Sequence, residues 1–492
     1  MAKQKTGRKN TMAPFSEGTL GSRPLLSERQ WILLVIVALG LALALLAAIR
    51  LFYHKPNVLL ITIDTLRADR LSCYGHPALT SPNIDAIARQ GYLFERCYAT
   101  SSWTLPSVMS IHTGLYPFHH GVEWVDKKLP ADAPTLAEIL KAEGYDTGAV
   151  ESSLFLQGLF GFGRGFDRYM EKPISDHRAI SSPSLTERAI SWLQRHPNKP
   201  FFFWIHYLDP HYDYLYHPEA ERFVRGIPPE ALSKEYSIME LKNTRYSLSR
   251  EEYGYQSRLY DGEIFFTDHH VGRLVDFLKA SGRWEDTLVI VTSDHGEMLG
   301  EHGALGHTES FYEEVLRVPL ILKPPRGLRQ GKRIEEVATI ADVLPTIAGI
   351  LGLPVDPAAF DGIALRPTRQ SRPQEDSLFR GSDRKGESGL LRPLWAQTNT
   401  PEVHFIARLG RMKFVFEPRT EAKWVFDPEA QPLEEQNLFE GRREEFAAFL
   451  QEARALPGRR ASSKAERVEV TPGFLEQVEA LGYIGGSTGA RK

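Results

Sequence analysis

Cysteine is nearly absent from this sequence: Cys73 and Cys97 are the only two in 492 residues. Two thiols cannot build a disulfide framework, and the expected role is that of small buried hydrophobes, with one bridge in an oxidising compartment as the alternative. Neither sign of charge is in excess, since 59 Lys and Arg stand against 62 Asp and Glu. That balance gives no reason to expect nucleic acid as a partner, and the basic run Arg326 to Arg333 reads as a solvated loop. No internal repeat is present. The length exceeds one ordinary domain and leaves room for a large core with a smaller appended unit.

What is present begins with an asymmetric N-terminus. Residues 1–30 carry Lys3, Lys5, Arg8, Lys9, Arg23 and Arg29 against Glu17 and Glu28, and read as a disordered basic arm. Trp31 to Ile49 then runs nineteen residues without a charge, which at about 1.5 Å per residue matches the roughly 30 Å of bilayer hydrocarbon. Residues 31–53 are therefore expected to be a single transmembrane anchor, with Trp31 and Tyr53 as interfacial aromatics. The excess of Lys and Arg before it predicts a cytoplasmic N-terminus and a periplasmic or otherwise extracytoplasmic remainder. A cleaved signal is the rival reading, but its apolar core is usually about 7–15 residues.

From Asn57 onward short apolar runs alternate with helical patterns, the signature of an α/β fold with a mostly parallel sheet flanked by helices. Val58 to Ile63, Pro200 to Leu208, Leu288 to Ser293 and Val318 to Lys323 read as buried strands. Helical spacing covers Pro82 to Gly91, Thr135 to Gly144, Leu185 to Gln194 and Asp261 to Leu278. Residues 55–354 thus form the expected catalytic domain, with Tyr212 to Arg258 as an insertion of loops and short helices near its mouth. Residues 355–492 are expected to form a C-terminal α+β subdomain. Its strands would be Val403 to Leu409, Met412 to Glu417 and Lys423 to Phe426, followed by a helix from Glu434 to Leu456 and a Gly-Ser tail.

In an open α/β sheet, ligands bind beyond the carboxyl ends of the strands. Asp64 follows the first strand, Asp209 and His211 the second, and Asp294 and His295 the third. Each alone has a plain structural role as a helix cap, turn former or hydrogen-bonding residue; their coincidence points to a metal or catalytic site. Carboxylates, imidazole and a hydroxyl make a mixed N/O set for one divalent metal ion, with Zn or Mn favoured over Ca or Mg. Thr104, two residues before Pro106, reads from the residues alone as an N-cap before it reads as a nucleophile, and Ser101, Ser102 and Ser107 stand beside it as rivals. Pro106 marks a first helical turn, where free N–H groups favour a tetrahedral anion. His206, inside a strand, fits a packing role.

Three segments, Asn57 to Asp69, Ser101 to Gly114 and Leu288 to Glu297, together resemble the sulfatase family of the alkaline phosphatase superfamily. So do Pro82-Asn83-Ile84-Asp85, Leu115 to Val122, Gly300-Glu301-His302-Gly303 and Glu313 to Pro319, over about Pro56 to Pro354. The resemblance implies an alkaline-phosphatase-like fold and puts Thr104 where sulfatases place the Cys or Ser converted to formylglycine. It puts Val108 at the supporting arginine and Thr65 at a second Asp, while the family's Lys-x-His segment is not recognisable between Gly121 and Ser153. Related branches of the superfamily use an unmodified threonine, and their ligand set implies a metal on Asp64, Thr104, Asp294 and His295. His211 matches the family's Pro-His position, which contacts the anion or leaving group, and His307 stands where many sulfatases carry an anion-binding lysine. The implied activity is metal-dependent hydrolysis of phosphate or sulfate esters with Thr104 as nucleophile and His211 and His307 as its helpers. A phosphoethanolamine- or phosphoglycerol-type transferase acting on lipid or glycan, and a non-catalytic binding protein of the same fold, are the alternatives.

Overall fold

The computed structural model describes residues 27–53, 55–171, 181–211, 213–232, 248–308, 310–328, 330–365, 394–398, 404–409, 411–455 and 465–480. Residues 1–55 and 56–492 cluster as two separate units. In the first, a helix spans Glu28–Tyr53 and the side chains of Trp31 to Leu43 are exposed wherever they are large and apolar. Counting described residues only, no helix is long and apolar enough to cross a membrane. The expected basic arm up to residue 26 and the tail after Ile484 lie outside the described residues.

The second unit is built on a large sheet. Its strands run in the order Lys332–Ile334, Tyr92–Tyr98, Arg317–Lys323, Thr287–Thr292, Asn57–Ile63, Phe201–Tyr207, Asp146–Glu151 and Arg168–Glu171, and Ala338–Thr339 also pairs with Tyr92–Tyr98. The sheet is mixed, because Arg317–Lys323 lies antiparallel to both of its neighbours while the other pairings are parallel. Both faces are covered, so the central strands read as unbroken apolar runs. One face packs Val58, Leu60, Phe202 and Trp204 against Leu105, Val108 and Met109 of the helix Thr104–Thr113. The other packs Leu59, Ile61, Phe203 and Ile205 against Leu185 and Trp192 of Ser182–Arg195 and Tyr260, Ile264 and Leu274 of Arg250–Ala280.

Several expected boundaries move. The helix expected from Asp261 begins at Arg250, where Ser249 and Glu252 cap each other reciprocally, so the insertion after Tyr212 is shorter than its charge pattern suggested. The basic run read as a loop ends in the edge strand Lys332–Ile334, parallel to Tyr92–Tyr98. Cys73 and Cys97 are both free, the first half-buried and the second buried.

The C-terminal sheet is antiparallel in the order Leu394–Gln397, Phe405–Leu409, Met412–Glu417, Ala422–Phe426. Its helix starts at Arg443 rather than Glu434. Glu434 takes a positive φ of 47° and turns its carboxylate to Lys413 and the Glu313 N–H. Leu394, Ala396, Val415 and Phe426 join the same apolar cluster as the helix Thr104–Thr113.

Candidate active site

The strand Asn57–Ile63 delivers Asp64 to the carboxyl edge of the sheet, and the chain then turns sharply at Thr65, whose φ is 55°. Tyr260 of the long helix fixes this turn, donating to Thr65 O at 2.7 Å and accepting from Arg67 N at 2.9 Å. The strand Thr287–Thr292 delivers Asp294 and His295 beside it. Asp64, Asp294 and His295 are all buried, and one ligand atom from each lies within 4.8 Å of the others. Thr104 opens its helix behind an extended Trp103. Its hydroxyl, also buried, lies 3.5 Å from Asp64 Oδ2 and 3.3 Å from His295 Nε2.

The donor set fits one small divalent cation. His295 Nδ1 lies 3.0 Å from Gly296 O, so Nδ1 carries the proton and Nε2 offers its lone pair. Asp294 Oδ1 accepts from His295 N at 3.0 Å and Thr65 N at 3.3 Å, while Oδ2 has no hydrogen-bond partner; nor has Asp64 Oδ1. His295 Nε2 lies 3.7 Å from Asp64 Oδ1 and 3.4 Å from Asp294 Oδ2, about the spacing of neighbouring ligands held at roughly 2.0–2.2 Å from one ion. Burial, then the facing Asp294, pushes the Asp64 carboxyl well above its usual range. Asp294, although equally buried, is held below that range by His295 and His206. Among the described residues, no Lys or Arg pairs with either carboxylate.

Two further histidines complete the edge. The His307 ring lies 4.3 Å from that of His295 and 5.2 Å from that of His211, centroid to centroid. Sequence reasoning gave no role to Glu297, whose Oε1 lies 2.8 Å from His307 Nδ1 with both side chains fully buried. Its partner is set by the fold of the intervening loop, so the only signal was an acidic residue shortly after Asp294 and His295. His206 also proves to be more than packing, since its Nε2 lies 3.3 Å from Asp64 Oδ2. Burial pulls its pKa down to about 4, which keeps the ring neutral.

Other expected residues fall elsewhere. Asp209 does not reach the metal group: its carboxylate accepts from Ser181 N, Ser182 N and both serine hydroxyls, capping the helix Ser182–Arg195. Thr104 does not act as an N-cap, because that place belongs to Trp103. The rival serines are committed to backbone carbonyls: Ser101 Oγ to Gln397 O at 2.9 Å, Ser102 Oγ to Thr308 O at 2.6 Å and Ser107 Oγ to Ser101 O at 3.0 Å. His302 stacks on Tyr312 at 3.6 Å in a loop role.

Buried carboxylates, imidazole and hydroxyl at the strand ends of a mixed α/β sheet are the marks of an alkaline-phosphatase-like ester hydrolase with a candidate divalent-metal centre. The chain belongs to the Sulfatase family, whose model matches residues 56–353. It is similar to the multifunctional alkaline phosphatase superfamily protein PehA of Trinickia caryophylli, with 29% identity over 400 residues, 64% of this chain and 77% of that protein. Its fold resembles that of a protein solved in complex with its substrate D-glucosamine-2-N,6-O-disulfate, with TM-score 0.67, 20% identity and coverage of 83% of this chain and 99% of the other. It also resembles the phosphonate monoester hydrolase of Agrobacterium radiobacter, with TM-score 0.64, 22% identity and coverage of 85% and 100%.

Proposed function

We propose that this protein hydrolyses phosphate or sulfate esters, phosphoesters in preference, with the unmodified Thr104 as nucleophile. The observation that carries the reading is the placement of Thr104 Oγ1 against both Asp64 and His295 while each neighbouring serine is bonded to a carbonyl. Asp64, Asp294, His295 and Thr104 would hold the cation. Each offers one atom, and a small mixed N/O set of this kind suits Zn or Mn better than Ca or Mg. When bound, such an ion supplies the positive charge that favours a deprotonated hydroxyl and polarises the ester oxygen.

Thr104 Oγ1 loses its proton to water and bonds to phosphorus in line as the P–O bond to the alcohol breaks. His211 and His307 face the transferred group, and one of them, as imidazolium, gives its proton to the departing oxygen. Water then displaces Thr104 from the phosphorylated enzyme. Threonine cannot supply the aldehyde hydrate of formylglycine chemistry, and Val108 stands where the resemblance to sulfatases puts the arginine that supports it, so phosphoesters fit better than sulfates.

The catalytic unit is tethered to a membrane by residues 31–53, a reading supported by the uncharged run to Ile49 and its basic N-terminal flank. Carbonate-resistant sedimentation of the full chain, lost when the chain is begun at Lys55, is the expected result. A panel of aryl phosphate monoesters, diesters, phosphonates and sulfates, each with Zn, Mn, Ca and Mg, tests the chemistry. Sulfate turnover above that of every phosphorus ester would overturn the preference. Product release that needs an added acceptor alcohol would favour a transferase, and absence of both turnover and bound metal a binding protein.

A further inference from the structure

His206 is fully buried beside a candidate metal ligand, and its hydrogen bonds determine where its proton sits. Trp204 Nε1 lies 2.9 Å from Thr62 Oγ1, and indole N–H can only donate. Thr62 Oγ1 therefore accepts from Trp204 and must send its own proton elsewhere. Two acceptors are in reach: His206 Nδ1 at 2.8 Å and Ile205 O at 3.4 Å. The shorter bond, within the normal range for a hydroxyl donor, makes His206 Nδ1 the acceptor. A neutral imidazole that accepts at Nδ1 carries its proton on Nε2, which lies 3.3 Å from Asp64 Oδ2. Trp204, Thr62 and His206 are each 0% exposed and Asp64 is 1% exposed, so water does not compete for these bonds.

We infer that Trp204, Thr62 and His206 form a one-directional hydrogen-bond chain that engages Asp64 Oδ2, which Thr104 also approaches, and orients Oδ1 as the oxygen Asp64 first offers a cation. The chain thereby sets the affinity of the centre and its preference for ions of low coordination number. Asp64 Oδ1 has no hydrogen-bond partner in the protein, which is the state required of the free ligand atom. Calcium commonly takes both oxygens of a carboxylate among six to eight ligands, and the bond from His206 competes with that second contact for Asp64 Oδ2. His206 is a positioning residue here, acting through Asp64.

This inference rests on the site holding a divalent cation and is independent of Thr104 being the nucleophile. The test is chelator-competition titration of the full-length protein with Zn and with Ca, alongside Thr62→Val, Thr62→Ser and His206→Gln. Thr62→Val should weaken Zn binding by about 10- to 100-fold and narrow the Zn:Ca affinity ratio, with His206→Gln in the same direction. Thr62→Ser, which keeps the hydroxyl, should stay near wild type. Folded Val and Gln variants with unchanged Zn affinity and Zn:Ca ratio would overturn the inference. Failure of the wild type to bind any divalent ion would instead overturn the reading of the centre itself. If the variants do not fold, ¹⁵N spectra of histidine-labelled wild type still decide: His206 protonated on Nε2 is expected, and protonation on Nδ1 overturns the chain.

Discussion

Replacing Lys413 by Met should damage the active site from a strand that contributes no catalytic group. Lys413 Nζ donates to Phe311 O at 2.9 Å and pairs with Glu434 and, at 3.5 Å, Glu313. The Lys413 and Glu434 side chains are 2% and 0% exposed, and Glu434 also accepts from Glu313 N at 2.9 Å. These bonds hold the segment just beyond His307. Removing one member of a buried pair strands its partner and costs about 3–5 kcal/mol. For a cooperative unit of roughly 440 residues the unfolding entropy is near 0.9 kcal/mol/K, so the loss corresponds to a Tm lower by about 3–5 °C. At temperatures where both proteins are folded, kcat should fall by about 10- to 100-fold as His307 loses its fixed position. Adding Glu434→Gln, which removes the stranded charge but keeps an acceptor for Glu313 N, should recover at least half of the lost Tm. Scanning calorimetry and steady-state kinetics read both effects. A Lys413→Met protein melting within about 1 °C of wild type, or a double variant that loses the sum of the single effects, would refute the reasoning.

Thr104→Ala should lose at least about a thousandfold in turnover while metal content persists, and Thr104→Ser should restore part of the activity; undiminished turnover in the alanine variant would move the nucleophile elsewhere. Glu297→Ala should lower kcat about 10- to 100-fold for esters of poorly acidic alcohols and much less for nitrophenyl esters, because His307 then serves the leaving oxygen less well. A uniform loss across leaving groups would count against that role. His217 pairs with Glu263 at 2.9 Å; although burial opposes it, this carboxylate raises the His217 pKa above its ordinary value. A raised folded-state pKa means the stabilisation is complete below about pH 6.5 and is lost as pH rises through the higher value. The Tm advantage of wild type over His217→Gln should therefore be greatest near pH 6 and shrink toward pH 9, and a constant gap would refute the pairing.

How much of this was readable in the sequence follows from burial. Asn57–Ile63, Phe201–Tyr207 and Thr287–Thr292 are covered on both faces and announce themselves as apolar runs, and with them the positions of Asp64, Asp294 and His295. Tyr92–Tyr98 shows no strand pattern because Glu95 and Arg96 interrupt it, although its own Cys97 and Tyr98 are buried. Leu394–Gln397 is too short to show a period, and its pairing with Phe405–Leu409 supplies what its sequence does not. The start of Arg250–Ala280 looked like loop because its first turn is charged, yet the Ser249 and Glu252 capping box was there to be read. Asp209 shares the strand-end position of the candidate ligands because capping and ligation place the same residue type there, and its bonds to Ser181 and Ser182 decide for capping. Glu297 and the role of His206 depend on contacts with His307 and Asp64, which no local pattern encodes.

The C-terminal sheet reaches both halves of the site. Gln397 N donates to Thr100 O at 3.1 Å and Ser101 Oγ donates back to Gln397 O, just before Thr104. On the other side, Arg408 Nη1 and Lys413 Nζ hold Glu313 and Phe311 beyond His307. During synthesis, therefore, the segments carrying Asp64, Thr104, Asp294 and His295 emerge from the ribosome long before the strands that brace them. On the proposed reading, activity should require that the segment carrying Glu434 has been made and docked. Chains released early should lack activity, because Leu394, Ala396, Val415 and Phe426 belong to the same apolar cluster as the helix Thr104–Thr113, and adding the missing C-terminal piece in trans tests whether that core can be completed from outside.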